Sequence, residues 1–147
     1  MLYLETITKH NWLKAISLQV RDDQLTFVAR NVVSLAQLNF LDHFQAKGIF
    51  AEDEMVGFTL FGIDEKDQSY WIYRMMIDQH HQGKGYGKEA LKLIIEDIRK
   101  QKEAHHSTIT LSYEPENEVA KQLYEKAGFR EVNGLLIENE QVSRYTF

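Results

Sequence analysis

The sequence predicts an α/β fold built on a mixed sheet with helices on its faces. Two observations carry that reading. A run of strands gives way to strand alternating with helix, the order that lays helices over a partly parallel sheet. A glycine-rich stretch, Gln82-Gly83-Lys84-Gly85-Tyr86-Gly87, stands between an aromatic and apolar strand and an amphipathic helix. The 147 residues, 44% hydrophobic and 12% aromatic, suit one globular domain with one substantial core.

Element by element, Tyr3 to Thr6 reads as a first strand, and Lys9 to Leu18 as a helix with Trp12, Leu13 and Ile16 on one face. Residues 19 to 33 break the periodicity, with a loop beginning at Asp22-Asp23-Gln24. Ser34 followed by Gln37 is a capping-box pattern and predicts a helix to about Gln45. Ile49 to Glu52 and Met55 to Ile63 form a hairpin turning at Asp53-Glu54. After a polar connection, residues 64 to 69, comes the strand Tyr70 to Ile77. The helix behind the glycine loop runs from about Tyr86 to Lys102, with Ala90, Leu91, Leu93, Ile94, Ile95 and Ile98 as its apolar face. Thr108 to Tyr113 is a strand. Asn117 opens the next helix and Gly128 closes it. Phe129 to Ile137 and Gln141 to Phe147 make a last hairpin turning near Asn139.

Composition excludes several classes. The chain has no cysteine, so it holds no disulfide, no thiolate zinc site and no cysteine nucleophile. The histidine pairs His80-His81 and His105-His106 read as surface loop residues, because adjacent residues on a strand face opposite ways and make poor paired metal ligands. The net charge of −5 argues against nucleic acid as a partner and favours a small cationic one. The N-terminus carries no basic-then-apolar leader, and no apolar run is long enough to cross a bilayer. The expectation is a cytoplasmic protein without membrane contact.

The glycine loop is where chemistry is expected. The first N–H groups of a helix have no intrahelical acceptor, and the helix dipole places partial positive charge there. Lys84 and Lys88 add full charges. Such a junction suits a phosphate, and it equally suits a tight structural turn. The glycine spacing matches neither the dinucleotide fingerprint nor the Walker loop.

A second pattern narrows the choice. Residues 117 to 129 read Asn-Glu-Val-Ala-Lys-Gln-Leu-Tyr-Glu-Lys-Ala-Gly-Phe. Together with Gln82-x-x-Gly85-x-Gly87, this resembles the GNAT family of acetyl-CoA-dependent N-acetyltransferases, in which a Gln/Arg-x-x-Gly-x-Gly/Ala loop is followed by an Asn-x-x-Ala-x-x-x-Tyr-x-x-x-Gly-Phe helix. The matching positions are Asn117, Ala120, Tyr124, Gly128 and Phe129. The resemblance runs from the Val56-Gly57-Phe58 strand to the C-terminus and is weakest over the first third.

The resemblance implies a GNAT fold whose central strands splay, so that the pantetheine arm of acetyl-CoA inserts between them. It implies that the backbone of Met75, Met76 and Ile77 pairs with that arm. The pyrophosphate then rests on the loop of Gln82, Gly83, Lys84, Gly85, Tyr86, Gly87 and Lys88. Asn117 holds the pantetheine, a role compatible with its being an N-cap. Tyr124 serves the departing thiolate with a proton or a hydrogen bond; its alternative is plain packing. No metal is implied. Family members often dimerise, but no residue here requires it.

The amine acceptor is read less directly. Asp22-Asp23 before Leu25 to Val28, Val56 to Gly62, Arg74 to Asp78 and Asn133-Gly134 look most like the bacterial spermine/spermidine acetyltransferases. A polyamine calls for spaced carboxylates and aromatic walls. Asp22, Asp23, Glu52, Phe27, Trp71, Tyr73 and Glu114 are the candidates. An alkylammonium has a pKa of about 10.4, so only about one molecule in two thousand is neutral at pH 7 and the proton must be removed. Related polyamine enzymes often carry an acid where this chain has Tyr73. That leaves Glu114, Glu52 or a water chain ending at Tyr73 to act as base. Arg74 and Asp78 are an ion pair or a solvent-facing edge. The alternatives are a GNAT enzyme for another amine (an aminoglycoside, an amino acid or a protein N-terminus) and an acetyl-CoA-binding module without turnover.

Overall fold

The computed structural model describes all residues from Met1 to Phe147. Seven strands form a single sheet in the order β1-β2-β3-β4-β5-β7-β6. The strands are β1 (Leu2–Thr6), β2 (Phe44–Ala51), β3 (Glu54–Ile63), β4 (Tyr70–Ile77), β5 (Thr108–Tyr113), β6 (Arg130–Ile137) and β7 (Glu140–Thr146). Every neighbouring pair is antiparallel except β4 and β5, which run parallel and are joined by helix α3 (Tyr86–Gln101). The other helices are α1 (Trp12–Ser17), α2 (Asn31–Leu38) and α4 (Glu118–Ala127). This is the mixed α/β sheet that the element order predicts. No helix is long and apolar enough to cross a membrane.

Two apolar layers hold the sheet. On one face α3 buries Leu91, Ile94, Ile95 and Ile98 against Phe61, Tyr70, Ile72, Ile109, Leu111 and Phe129. On the other, Ala15 and Leu18 of the α1 segment pack with Phe50, Met55, Phe58, Leu60 and Met76. Strand β3 reads as a near-continuous apolar run because both of its faces are covered. Helix α4 is held at its two ends. The Asn117 side chain accepts from the Ala120 N–H at 3.2 Å. Gly128 takes φ 108°, a left-handed value that glycine adopts without steric cost.

The first third departs from expectation. Ser34 does not cap a helix; it lies inside α2, fully buried, and its hydroxyl has no partner. α2 begins at Asn31, whose side chain donates to the Ala15 carbonyl at 2.8 Å. It ends at Leu38, so the residues expected to continue it to Gln45 instead lead into β2, which starts at Phe44. Pairing of Phe44 to Ala51 along the whole of β3 outweighs the local helical periodicity. The β2–β3 turn sits at Glu52-Asp53, one residue earlier than expected, with Glu52 at φ 56°. α1 is shorter than Lys9 to Leu18, and Trp12 and Leu13 are exposed, with Ala15 in the core instead.

His106 is buried, not a surface residue. Its ring meets the edge of Tyr70 at 5.2 Å, and Nδ1 accepts from the Glu103 N–H at 3.3 Å. Burial, together with the neighbouring His105, pulls its pKa below the usual histidine value. Arg74 and Asp78 are not an ion pair. Arg74 donates to the Tyr73 carbonyl and to Gln37, whereas Asp78 accepts from the backbone of Gln19 and His80.

Candidate active site

The sheet opens between its two parallel strands. β4 and β5 pair only at Tyr70–Ile109 and Trp71–Thr110. Beyond Trp71, β4 continues on β3 and β5 continues on β7, so the two diverge and the facing edge of β4 is left without a strand. A cleft of about 1770 Å³ occupies the gap and extends past the carboxyl ends of both strands. Open α/β sheets place ligands at that location. Met75, Met76 and Ile77 line it from β4, Ser112 and Tyr113 from β5, and Asn117, Ala120 and Tyr124 from the α4 region.

One end of the cleft presents free backbone N–H groups, a chemistry suited to an anion. Gly83 and Gly85 both take φ 80°, and a Cβ added at either would meet nothing within 4 Å. The space beside the loop is therefore open on the ligand side. Gly85 is the N-cap of α3, and no acceptor in the protein takes the N–H groups of Tyr86, Gly87 or Lys88. Sixteen residues of helix stand behind those three donors. Lys88, in the first turn of α3, lines the cleft, as does Arg21, whose Nε donates to Asp23 at 3.3 Å. The Gln82 side chain also lines the cleft but is engaged, donating to the Ile77 carbonyl at 2.9 Å and to Gln24 at 3.0 Å. It ties the end of β4 to the 22–24 turn. Lys84 does not line the cleft; its ammonium lies 5.9 Å from the Tyr86 ring centre.

Tyr124 stands on the α4 side of the gap, half-buried, with its ring 5.8 Å from both Tyr113 and Phe129. The two tyrosines differ in their hydroxyls. Tyr113 donates to Glu131 at 2.5 Å, whereas the Tyr124 hydroxyl has no hydrogen-bond partner in the protein. Burial, with a smaller contribution from Glu140, pushes the Tyr124 pKa up to about 12. At neutral pH it is a neutral phenol with a proton to share. Asn117 uses Oδ1 as its helix cap and leaves its Nδ2 donors uncommitted at the cleft edge.

The other end is aromatic and acidic. Trp71 and Tyr73 meet edge to face at 6.0 Å, and Phe44 lies against Tyr73 at 4.3 Å. Phe27 lines the same space. The pairing of β3 with β4 shifts register here: Leu60 faces Arg74 while Phe61 faces Ile72, so Tyr73 occupies a bulge. A bulge turns a side chain off the regular alternation and is a common device next to a site. Nine carboxylates line the whole cleft (Asp23, Asp42, Asp64, Glu65, Asp67, Glu116, Glu118, Glu138 and Glu140) against four Lys or Arg residues. That balance favours a cationic occupant.

The sequence-predicted residues divide clearly. Asp23, Phe27, Trp71, Tyr73, Met75, Met76, Ile77, the loop residues other than Lys84, Asn117 and Tyr124 share the cleft. Asp22, Glu52 and Glu114 do not line it. Glu52 is carried off by the β2–β3 turn, and Asp22 opens the 22–24 turn that presents Asp23 instead. Sequence reasoning missed Asp64, Asp67 and Glu140. The first two lie in a connection read only as polar, and Glu140 arrives because β7 is placed beside β5. No group of three or more histidine or acidic side chains forms a metal site.

The comparisons agree with this architecture. A "Probable spermine N(1)-acetyltransferase" of Bacillus subtilis subsp. natto (strain BEST195) is 29% identical over 133 residues, 86% of each chain. A "Spermine/spermidine N(1)-acetyltransferase" of Bacillus subtilis (strain 168) matches at the same identity and coverage. Among solved structures, the aminoglycoside acetyltransferase AAC(6')-Ib in complex with coenzyme A superposes with a TM-score of 0.79 at 16% identity, covering 99% of this chain and 95% of that one. The PaiA N-acetyltransferase of Thermoplasma acidophilum in complex with coenzyme A gives 0.73 at 14% identity, over 100% and 99%. The sequence profile of the Acetyltransferase (GNAT) family matches residues 9–129. With that match over most of its length, and with the splayed β4–β5 gap and the glycine loop at the head of α3, the chain belongs to the GNAT family of acetyltransferases.

Proposed function

We propose that this acetyl-CoA-dependent acetyltransferase moves the acetyl group directly onto a terminal primary amine of a polyamine, spermine or spermidine. The observation that carries the choice of acceptor is the lining of the cleft. Carboxylates outnumber Lys and Arg nine to four over the whole cleft, and two of them, Asp64 and Asp67, bond directly to Tyr73 and Trp71 of an aromatic wall that also includes Phe44 and Phe27. A flexible chain of methylenes and ammonium groups is complementary to both features. The similarity to the two Bacillus subtilis spermine acetyltransferases supports the same acceptor.

The residues divide the work as follows. The pyrophosphate of acetyl-CoA sits on the N–H groups of the 83–88 loop, with Lys88 beside it. The pantetheine arm lies along the unpaired edge of β4, taking backbone bonds from Met75 to Ile77, and Asn117 Nδ2 holds it from the other side. A backbone N–H of that strand polarises the thioester carbonyl. The ammonium first loses one proton to water in the cleft, the neutral amine so formed attacks the carbonyl carbon, the carbon–sulfur bond breaks to release the CoA thiolate, and the second proton on the former amine nitrogen also passes to water. Tyr124 gives the departing thiolate a hydrogen bond. With no cysteine in the chain, transfer occurs in a ternary complex without a cysteinyl acyl-enzyme. Residues 1–147 act as a single acetyltransferase domain.

The test is kcat/KM for spermine, spermidine, kanamycin and an amino-acid amide, read as free CoA. Spermine or spermidine should lead by at least tenfold. A preference for kanamycin or the amide would overturn the polyamine assignment and leave acetyl transfer standing. Release of no CoA with any amine would point to a binding module.

A further inference from the structure

The bulge at Tyr73 gives the cleft a feature that its acid count does not describe. The Tyr73 hydroxyl donates to Asp64 Oδ2 at 2.5 Å. Its single proton is thereby committed, so toward the cleft the phenol oxygen offers lone pairs only. Asp64 is held in place by the connection itself. Its other oxygen, Oδ1, accepts from the Lys66 N–H at 2.8 Å and the Asp67 N–H at 3.3 Å. Its backbone closes the connection by pairing with Ser69 and Gln68. Asp67 steadies the neighbouring ring by accepting from Trp71 Nε1 at 2.8 Å.

We infer that Asp64 and Tyr73 together form the anchor for an ammonium group of the acceptor, with Tyr73 as the contacting residue and Asp64 as its positioning residue. Asp64 orients the hydroxyl proton away from the cleft and backs the oxygen with a negative charge. Tyr73 Oη then accepts an N–H bond from a cation stacked over the aromatic wall. The other charged groups facing the pair are Lys66, Asp67 and Arg74, and Arg74 spends two of its donors on the Tyr73 carbonyl and Gln37. Burial alone would raise the Asp64 carboxyl, but the Tyr73, Lys66 and Asp67 donors outweigh it and hold the acid below its usual pKa. For Tyr73, burial and the bond to Asp64 push the phenol far up. Those directions describe a phenol that stays protonated and a carboxylate that stays charged. The pair is a binding device and not the base.

The inference rests on the amine-acetyltransferase reading, and equilibrium binding separates the two. The dissociation constants of spermine and of kanamycin are measured by calorimetry on CoA-saturated protein, for the wild type, Asp64→Asn, Tyr73→Phe and the double variant. Asparagine keeps an oxygen for the Lys66 and Asp67 N–H groups, so the connection survives. Its amide, however, donates to Tyr73 and reverses the polarity of the hydroxyl. Tyr73→Phe leaves every Asp64 backbone bond intact and guards against a folding artefact.

Each single variant should weaken the tighter-binding amine about tenfold, with CoA affinity within twofold of wild type. The double variant should lie within about threefold of Asp64→Asn alone, because the two residues act as one unit. Amine affinity within twofold of wild type in both single variants would overturn the inference, even if spermine is acetylated. So would losses that multiply in the double variant, or CoA affinity lost in step with amine affinity. If only kanamycin binds, and binds in this Asp64-dependent way, the anchor stands and the polyamine assignment falls. If neither amine binds the wild type, both fall.

Discussion

Replacing Tyr124 with phenylalanine removes one hydroxyl from the wall of the cleft. The ring contacts to Tyr113 and Phe129 are retained, and the hydroxyl makes no hydrogen bond within the protein. No partner is orphaned, so stability should hold within about 0.5 kcal/mol, or about 2 °C in Tm for a chain of this size. The catalytic cost follows from the pKa. Tyr124 stands at about 12 because of burial and Glu140. A thiol's reference pKa is about 8.5, so handing the thiolate the tyrosine proton outright costs about 5 kcal/mol. In the proposed mechanism the phenol therefore acts as a hydrogen-bond donor to developing negative charge and not as an acid. A bond to a charged group is worth about 1.5–3 kcal/mol, which corresponds to a fall in kcat of about 10- to 150-fold. The assay is steady-state release of CoA at saturating acetyl-CoA and spermine, beside a thermal melt. A kcat within twofold of wild type, or a Tm lower by 5 °C or more, would refute the reasoning and return Tyr124 to packing.

Three further outcomes are expected. Gly85→Val places a β-branched residue at φ 80° and fills open space beside the loop, so acetyl-CoA affinity by calorimetry should fall at least a hundredfold; a change under twofold would remove the loop from the site. Raising the salt concentration from 50 to 300 mM, about a sixfold increase in screening ions, should raise KM for spermine more than for a monoamine, because several charge contacts with the cleft are screened at once. His106 has a lowered pKa in the fold, so the unfolded chain takes up a proton first as pH falls through about 6.5. Stability is thus intact above that pH and is lost below it. His106→Asn should lessen the drop in Tm between pH 7 and pH 5, and an unchanged drop would place the loss elsewhere.

What the sequence disclosed and what it hid follow from the range of the interactions involved. The glycine loop, the strand before it, α3, and the cap and stop of α4 are local. Gly85 and Gly128 adopt left-handed φ, Asn117 caps three residues ahead, and the apolar face of α3 repeats at helical spacing. Each therefore leaves a mark within a few residues. The segment from 19 to 45 is decided at longer range. Asn31 bonds Ala15, sixteen residues away, and Phe44 joins a sheet whose partner strand had not yet appeared in the chain. A capping-box pattern at Ser34 is weaker than either. The acidic wall was hidden for the same reason. Asp64 lines the cleft from the 64–69 connection and bonds to Tyr73 at a bulge, and no residue type announces that bulge. Glu140 enters from a strand near the C-terminus that is inserted between β5 and β6.

Direct transfer to a polyamine is tested most plainly by mixing acetyl-CoA-loaded protein with spermine in a single turnover and following both products and protein by mass spectrometry. Acetylspermine modified at a terminal amine should appear in step with an equal amount of free CoA, and the protein mass should remain unchanged throughout. An acetylated protein that forms and then decays as product rises would contradict direct transfer. Free CoA without matching acetylspermine would contradict the polyamine as acceptor.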